Sequence, residues 1–213
     1  MNEIFKKKII NFLNGFKLHW SSKTARNKIA ITFDDGPDEN YTALILEILK
    51  KHQIKSTFFL VGKNIEQNIE LVSSIVNDGH EVGNHTFSHM ELRGFNWGLF
   101  KQEIKATDQI LKKNWNLETP CLRLPKGRWN FQIILILLML KKKIIFWNVD
   151  PRDYRAKSKK EIICNLNNIG LKSGDIILLH DNNQHTARAL PDILKNLKNR
   201  GLRPVTISEL LGE

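Results

Sequence analysis

Short apolar runs closed by turn residues alternate along the chain with longer stretches of helical period, the pattern of repeated β and α units. Ile29 to Phe33 reads as a buried strand that ends in Asp34-Asp35-Gly36-Pro37. Between Tyr41 and His52 the apolar positions 44, 45, 48 and 49 fall on one helical face. Ser56 to Val61 is the next strand, Ile65 to Asn77 a helix stopped by Asp78-Gly79, and Glu81 to Asn84 a short strand leading into His85. Trp97 to Leu111 reads as helix, Leu122 to Leu124 as a brief strand, and Phe131 to Lys141 as an apolar helix, because its run is long and rich in Leu and Ile. Ile144 to Val149 and Asp175 to Leu179 are strands, Ala187 to Asn199 is a helix ended by Arg200-Gly201, and Val205 to Ile207 closes the series.

The class is therefore α/β, and the polar residues of interest fall at or just after the carboxyl ends of the strands: Asp34 and Asp35, His85, Arg123, Asp150 and Asp153, His180 and Asp181. In parallel α/β architectures that is where an active site forms. A chain of 213 residues with 41% apolar content closes one sizeable core, so a single domain over 28–213 is expected. Residues 1–27 read as a basic amphipathic leader. Its Lys6-Lys7-Lys8 cluster precedes an apolar stretch broken by Asn11 and Asn14, with no small-residue cleavage site, which is a poor secretion signal. A helix on a membrane surface and a helix packed on the domain both fit it. The longest apolar run, Ile133 to Leu140, is far below the ~20 residues that cross a bilayer.

Thirty-three basic against 22 acidic residues give a net charge of +11, which favours contact with an anionic polymer or a membrane surface. A bias of composition toward Lys, Asn and Ile accounts for part of the excess. No nucleic-acid motif accompanies the charge, and no nucleic-acid partner is expected. Cys121 and Cys164 are too few for a disulfide framework and have no metal spacing.

Two features bear on chemistry. His85 and His89 are four apart, a spacing that one helical turn would bring to one face for a shared metal, although a pair of surface histidines gives the same pattern. Asp34-Asp35 puts two carboxylates directly after a buried strand, where they repel and lose solvation unless a cation or strong donor is near; a solvated Asp-Gly-Pro turn is the alternative. Together, one Asp and two His make an open donor set of the hydrolytic kind, with the second carboxylate left to act as a base.

Five ordered segments, Thr32-Phe33-Asp34-Asp35-Gly36-Pro37, His85-Thr86-Phe87-Ser88-His89, Arg123-Leu124-Pro125-Lys126-Gly127, Asp150-Pro151-Arg152-Asp153-Tyr154 and Leu178-Leu179-His180-Asp181, resemble the motifs of the polysaccharide deacetylases, the NodB-homology enzymes of carbohydrate esterase family 4. The resemblance covers about 28–211. It implies a distorted (β/α) barrel of seven or eight strands, one divalent ion (zinc, with cobalt, nickel or manganese as alternatives), and removal of acetate from an N-acetylglucosamine-containing glycan. Carried over position by position, it makes Asp35, His85 and His89 the metal ligands, Asp34 the general base, the Lys126 backbone N–H an oxyanion donor and His180 the general acid. Arg123 would orient Asp34, Asp153 would orient His180, and Leu178 would line a pocket for the acetyl methyl.

The sequence departs from the family at two of these places, with Lys126 where an aromatic residue is usual and Tyr154 where Trp is usual. The basic side chain of Lys126 points to an anionic glycan or a negatively charged neighbour on the polymer, and Tyr154 keeps an aromatic wall. Trp129, just after Gly127, is the best candidate for stacking on sugar. An O-acetyl esterase and a noncatalytic glycan-binding module are the competing readings. An acetylated envelope glycan as substrate implies the cell envelope, whereas the leader leaves cytoplasmic action open.

Overall fold

The computed structural model describes residues 18–90 and 96–213, so the first 17 residues of the leader lie outside it. Among the described residues eight strands form one sheet: β1 (Leu18–His19), β2 (Lys28–Asp34), β3 (Thr57–Leu60), β4 (Glu81–Asn84), β5 (Cys121–Leu122), β6 (Lys143–Ile145), β7 (Ile176–His180) and β8 (Arg203–Val205). Their order is β1-β6-β5-β4-β3-β2-β7, with β8 also on β2, and every ladder is parallel. A parallel bridge from Val149 to Ile177 and an antiparallel one from Ser21 to Asp175 join the two ends. The sheet thereby closes into the distorted (β/α) barrel that the sequence leads one to expect.

Parallel strands buried on both faces read as continuous apolar runs, and β2 shows why. Ile29, Ile31 and Phe33 pack into the layer beneath the helices, with Phe33 stacked on Phe58 at 5.0 Å. The alternate residue Ala30 packs in a second cluster with Phe59, Cys121, Ile145, Ile176 and Val205, and two residues of the last helix, Ile207 and Leu210, join it. Thr32 and Asp34 continue that inner row toward the carboxyl end of β2, which is how the period of two delivers a carboxylate to one mouth of the barrel.

The helices are α1 (Thr42–Lys51), α2 (Gly62–Gln67), α3 (Ile69–Asn77), α4 (Trp97–Trp115), α5 (Phe131–Met139), α6 (Lys159–Ile169), α7 (Gln184–Asn199) and α8 (Ile207–Leu211). None is long and apolar enough to cross a membrane. The expected single helix over 65–77 is two, broken at Asn68, whose side chain donates to the Asn64 carbonyl at 3.0 Å and so competes with the helical ladder. The strand expected over 144–149 stops at Ile145; beyond it Asn148 bonds sideways, its amide donating to Asp175 and its carbonyl accepting from the Ile176 N–H. Helix α6 was not expected from periodicity. Ser158 caps it by accepting from the Glu161 N–H at 3.3 Å, and Ile162 and Leu166 are its buried face. Ser158 followed three residues later by Glu161 is the signal that would have found it.

Candidate active site

The carboxyl ends of β2, β4, β5 and β7 bring the predicted residues together around a cavity of about 490 Å³. Asp34 ends β2, and Asp35 takes a left-handed φ of 73°, so the chain reverses and both carboxylates reach the same cleft. His85 follows β4. His85 and His89 do not share a helical turn, as the spacing suggested; the segment is a bend in which Thr86 and His89 have φ of 65° and 52°. Asn84 Oδ1 accepts from the Thr86 N–H at 2.8 Å, and Glu103 accepts from the backbone and hydroxyl of Ser88, which holds the bend. The two imidazoles end with centroids 5.1 Å apart.

One donor atom each from Asp35, His85 and His89 lies within 4.8 Å of the other two, with Asp35 Oδ1 3.4 Å from His85 Nε2 and 3.3 Å from His89 Nε2. His85 Nδ1 lies 2.9 Å from the Arg123 carbonyl, and as an N–H donating there it leaves the Nε2 lone pair facing the cleft. Burial alone would raise the Asp35 pKa, but His85, His180 and His89 bring it down to about 2, so it is anionic throughout the physiological range. Burial opposes a charge on His85, yet Asp34 and Asp35 raise its pKa in the metal-free site; in their neutral forms the two imidazoles offer nitrogen lone pairs that, with one carboxylate oxygen, suit a divalent ion with open positions.

Arg123 has no solvent exposure and anchors the floor. Its Nη1 donates to Asp34 Oδ1 at 2.7 Å and to Thr32 Oγ1 at 2.6 Å, while Nε and Nη2 donate to the Ile145 and Phe146 carbonyls. The guanidinium carbon lies 4.2 Å from the centroid of the Phe59 ring. Asp34 Oδ2 is thereby left toward the cleft, 3.8 Å from His85 Nε2.

On the opposite side, fully buried Asp153 receives the His180 backbone N–H on Oδ2 and lies 2.8 Å from His180 Nδ1 through Oδ1. Thr186 Oγ1 also donates to it, at 2.6 Å. Burial works against a charge on His180, but Asp153 overrides it, helped by Asp34 and Asp35, and the pKa rises to about 9. At neutral pH the ring is an imidazolium with Nε2–H available.

Lys126, Tyr154 and Leu178 line the cavity, as do Arg128, Trp147, Asp150 and Arg155. Trp129 does not; it is 44% exposed, and Trp147 is the indole in the cavity wall. Gly127 explains the placement, since a Cβ there would lie 2.8 Å from the Trp147 ring. Two further buried polar groups stand outside this chemistry. His80 is buried, accepts from the Ser56 N–H and meets Phe58 edge-on. Asp181 lies behind the site at Gly36, where a Cβ would come within 2.0 Å of its Oδ2.

A larger cavity of about 630 Å³, lined by Asp108, Thr119 and Lys142, holds no comparable convergence of a donor set, base and acid. The family model described as polysaccharide deacetylase matches residues 21–143. The chain belongs to the polysaccharide deacetylase family. It is similar to a peptidoglycan-N-acetylglucosamine deacetylase of Bacillus cereus, at 36% identity over 90% of this chain and 92% of the relative. It is also similar to a chitooligosaccharide deacetylase of Rhizobium leguminosarum bv. trifolii, at 32% identity over 86% and 82%. A crystal structure of a peptidoglycan N-acetylglucosamine deacetylase matches with a TM-score of 0.88 and 31% identity, covering 95% of this chain and 96% of the other.

Proposed function

We propose that this chain is a metal-dependent hydrolase that removes N-acetyl groups from an N-acetylglucosamine-containing glycan of the cell envelope and releases acetate. The observation that carries the reading is the convergence in one cleft of the Asp35, His85 and His89 donors with an Arg123-anchored carboxylate and an Asp153-anchored imidazolium. A binding module would need neither base nor acid. The names of the two relatives, one acting on peptidoglycan and one on chitooligosaccharide, support the substrate class.

Asp35, His85 and His89 would hold a divalent ion, with zinc the best match to two imidazoles and a carboxylate. Such an ion, when bound, acidifies water and polarises a carbonyl. Asp34 Oδ2, the oxygen not taken by Arg123, accepts a proton as the water oxygen adds to the acetamido carbon. The Lys126 backbone N–H donates to the carbonyl oxygen as it gains charge. His180 then gives its Nε2 proton to the sugar nitrogen while the carbon–nitrogen bond breaks, so a free amine and acetate leave. Leu178 and Tyr154 supply walls beside the acetyl group.

The test is acetate release from chito-oligosaccharides, peptidoglycan fragments and acetylxylan by wild type, Asp34→Asn, and metal-stripped protein with Zn, Co, Ni or Mn restored. Release from an N-acetyl substrate that returns with metal, and falls by roughly 10²–10⁴ in Asp34→Asn, is expected. Release from acetylxylan alone would replace the reading with an O-acetyl esterase. Bound metal without release from any substrate would replace it with a glycan-binding role.

A further inference from the structure

The mouth of the cleft carries positive charge that the proposed chemistry does not use. On its floor the charges are already matched: Asp34 by Arg123, Asp153 by His180, and Asp35 between two imidazoles. Above the floor, Lys126 and Arg128 enter the cavity from the turn at Pro125–Gly127, and Arg155 from the wall that follows Asp153. Asp150 is the one carboxylate lining the mouth among the described residues, and its Oδ1 accepts from the Arg152 N–H at 2.7 Å. The Arg155 guanidinium carbon lies 5.3 Å from the centroid of the Tyr154 ring, a contact that steadies the group beside the cavity. Asp150 and Arg155 also line a second cavity of about 430 Å³, where Arg152 and Glu161 stand beside them.

A neutral acetamido sugar offers these side chains only hydroxyls, whereas a guanidinium matches a carboxylate with two parallel hydrogen bonds. We propose that the cleft selects glycans in which the reacting sugar or its immediate neighbour bears a carboxylate, with Arg128 and Arg155 as the recognising groups and Lys126 adding to their field. The inference rests on the deacetylase reading and narrows it from N-acetylated glycans in general to acidic ones. The carboxylate could belong to an ether-linked acid on the amino sugar or to a neighbouring uronic acid; both present the same charge at the mouth.

The experiment compares acidic glycan fragments of each kind with the same fragments after their carboxyl groups are reduced to alcohols. KM and kcat for acetate release are measured for wild type, Arg128→Gln/Arg155→Gln and, as a charge-matched control on exposed sites of α7, Lys195→Gln/Lys198→Gln. Wild type and control are expected to show a KM roughly tenfold lower for an acidic fragment than for its reduced form. The double variant should bring that ratio to within about twofold, and salt near 1 M, where screening acts over about 3 Å, should shrink it in wild type. A preference for only one kind of acidic fragment names the source of the carboxylate. A wild-type ratio near one for both kinds, or a ratio that survives in the double variant, overturns the proposal. Tryptophan fluorescence, with Trp147 in the cavity wall, reads binding of the same pairs without turnover. Tenfold tighter binding of acidic fragments without acetate release would leave this inference standing while the deacetylase reading fell, and equal binding would end it.

Discussion

Asp153 and His180 show at the scale of single residues how the fold sets chemistry. His180 is held near a pKa of about 9 against its own burial because Asp153 receives both its backbone N–H and its ring. A general acid works only while protonated, so kcat/KM should fall as pH rises through the His180 pKa. Asp153→Asn keeps an acceptor but removes the charge, and the basic limb of the profile should move toward lower pH by a unit or more. A limb that stays in place would remove His180 from the role of acid. Asp34, Asp35, His85, Arg123 and His180 were legible because each stands at or just after a strand end, where the period of the sheet aims it into one cleft, whereas His89 and Asp153 lie beyond the strands, in a bend and a short turn, and rested on spacing and on the resemblance of the ordered segments. Trp147 was not legible in the same way. Its position depends on Gly127 lacking a Cβ 2.8 Å from the ring, a contact between distant segments that no local pattern records.

At the scale of elements, the strands were easier to read than the helices, since a strand buried on both faces leaves a continuous apolar run while a half-exposed helix leaves a weak period. The break at Asn68 and the absence of α6 from the reading have a common cause: side-chain bonds to the backbone, at Asn68 and at Ser158, decide where a helix starts or stops. Helix α6 follows the loop that carries Asp153 and Tyr154, and its Asn165 side chain donates to the Pro151 carbonyl at 2.8 Å. Stability of this helix therefore bears on the site. Ser158→Ala removes the cap and should lower the free energy of unfolding by about 1 kcal/mol, read from the urea midpoint at unchanged slope. Ser158→Asp, which restores an acceptor, should recover it, and failure to do so would mean that the cap is not what the substitution disturbed.

Two buried groups, His80 and Asp181, and the partly buried His180 give the whole molecule an unusual dependence of stability on pH. Burial first and the Lys55 charge second lower His80 to about 4, below its ordinary 6.5, so its contribution is complete above 6.5 and lost as pH falls toward 4. Burial, only partly offset by the Thr42 hydroxyl, pushes Asp181 from 3.8 up to about 7, and its Oδ1 finds no hydrogen-bond partner among the described residues. That contribution has the opposite sign, present below 3.8 and lost as pH rises through 7. His180, raised to about 9, adds stability below 6.5 that is lost as pH rises through 9. Between about 4 and 6.5 the slopes of His80 and Asp181 oppose each other, and above 6.5 only losses remain. In the metal-free protein the summed contribution of these three groups is therefore nearly flat from about pH 4.5 to 6.5 and declines on the order of 3 kcal/mol from there to pH 9, with His85, raised against its burial by Asp34 and Asp35, adding to that decline and His89, lowered by burial, adding a gain with pH below 6.5. Denaturant titrations across this range separate the terms. His80→Asn, which keeps an acceptor for the Ser56 N–H, should turn the flat region into a continuous decline. Asp181→Asn should instead expose a rise with pH up to 6.5, because the amide cannot ionise and the slope of His80 is then unopposed. An Asp181→Asn profile as flat as that of wild type would show that neither group titrates as its burial requires, and that water reaches both.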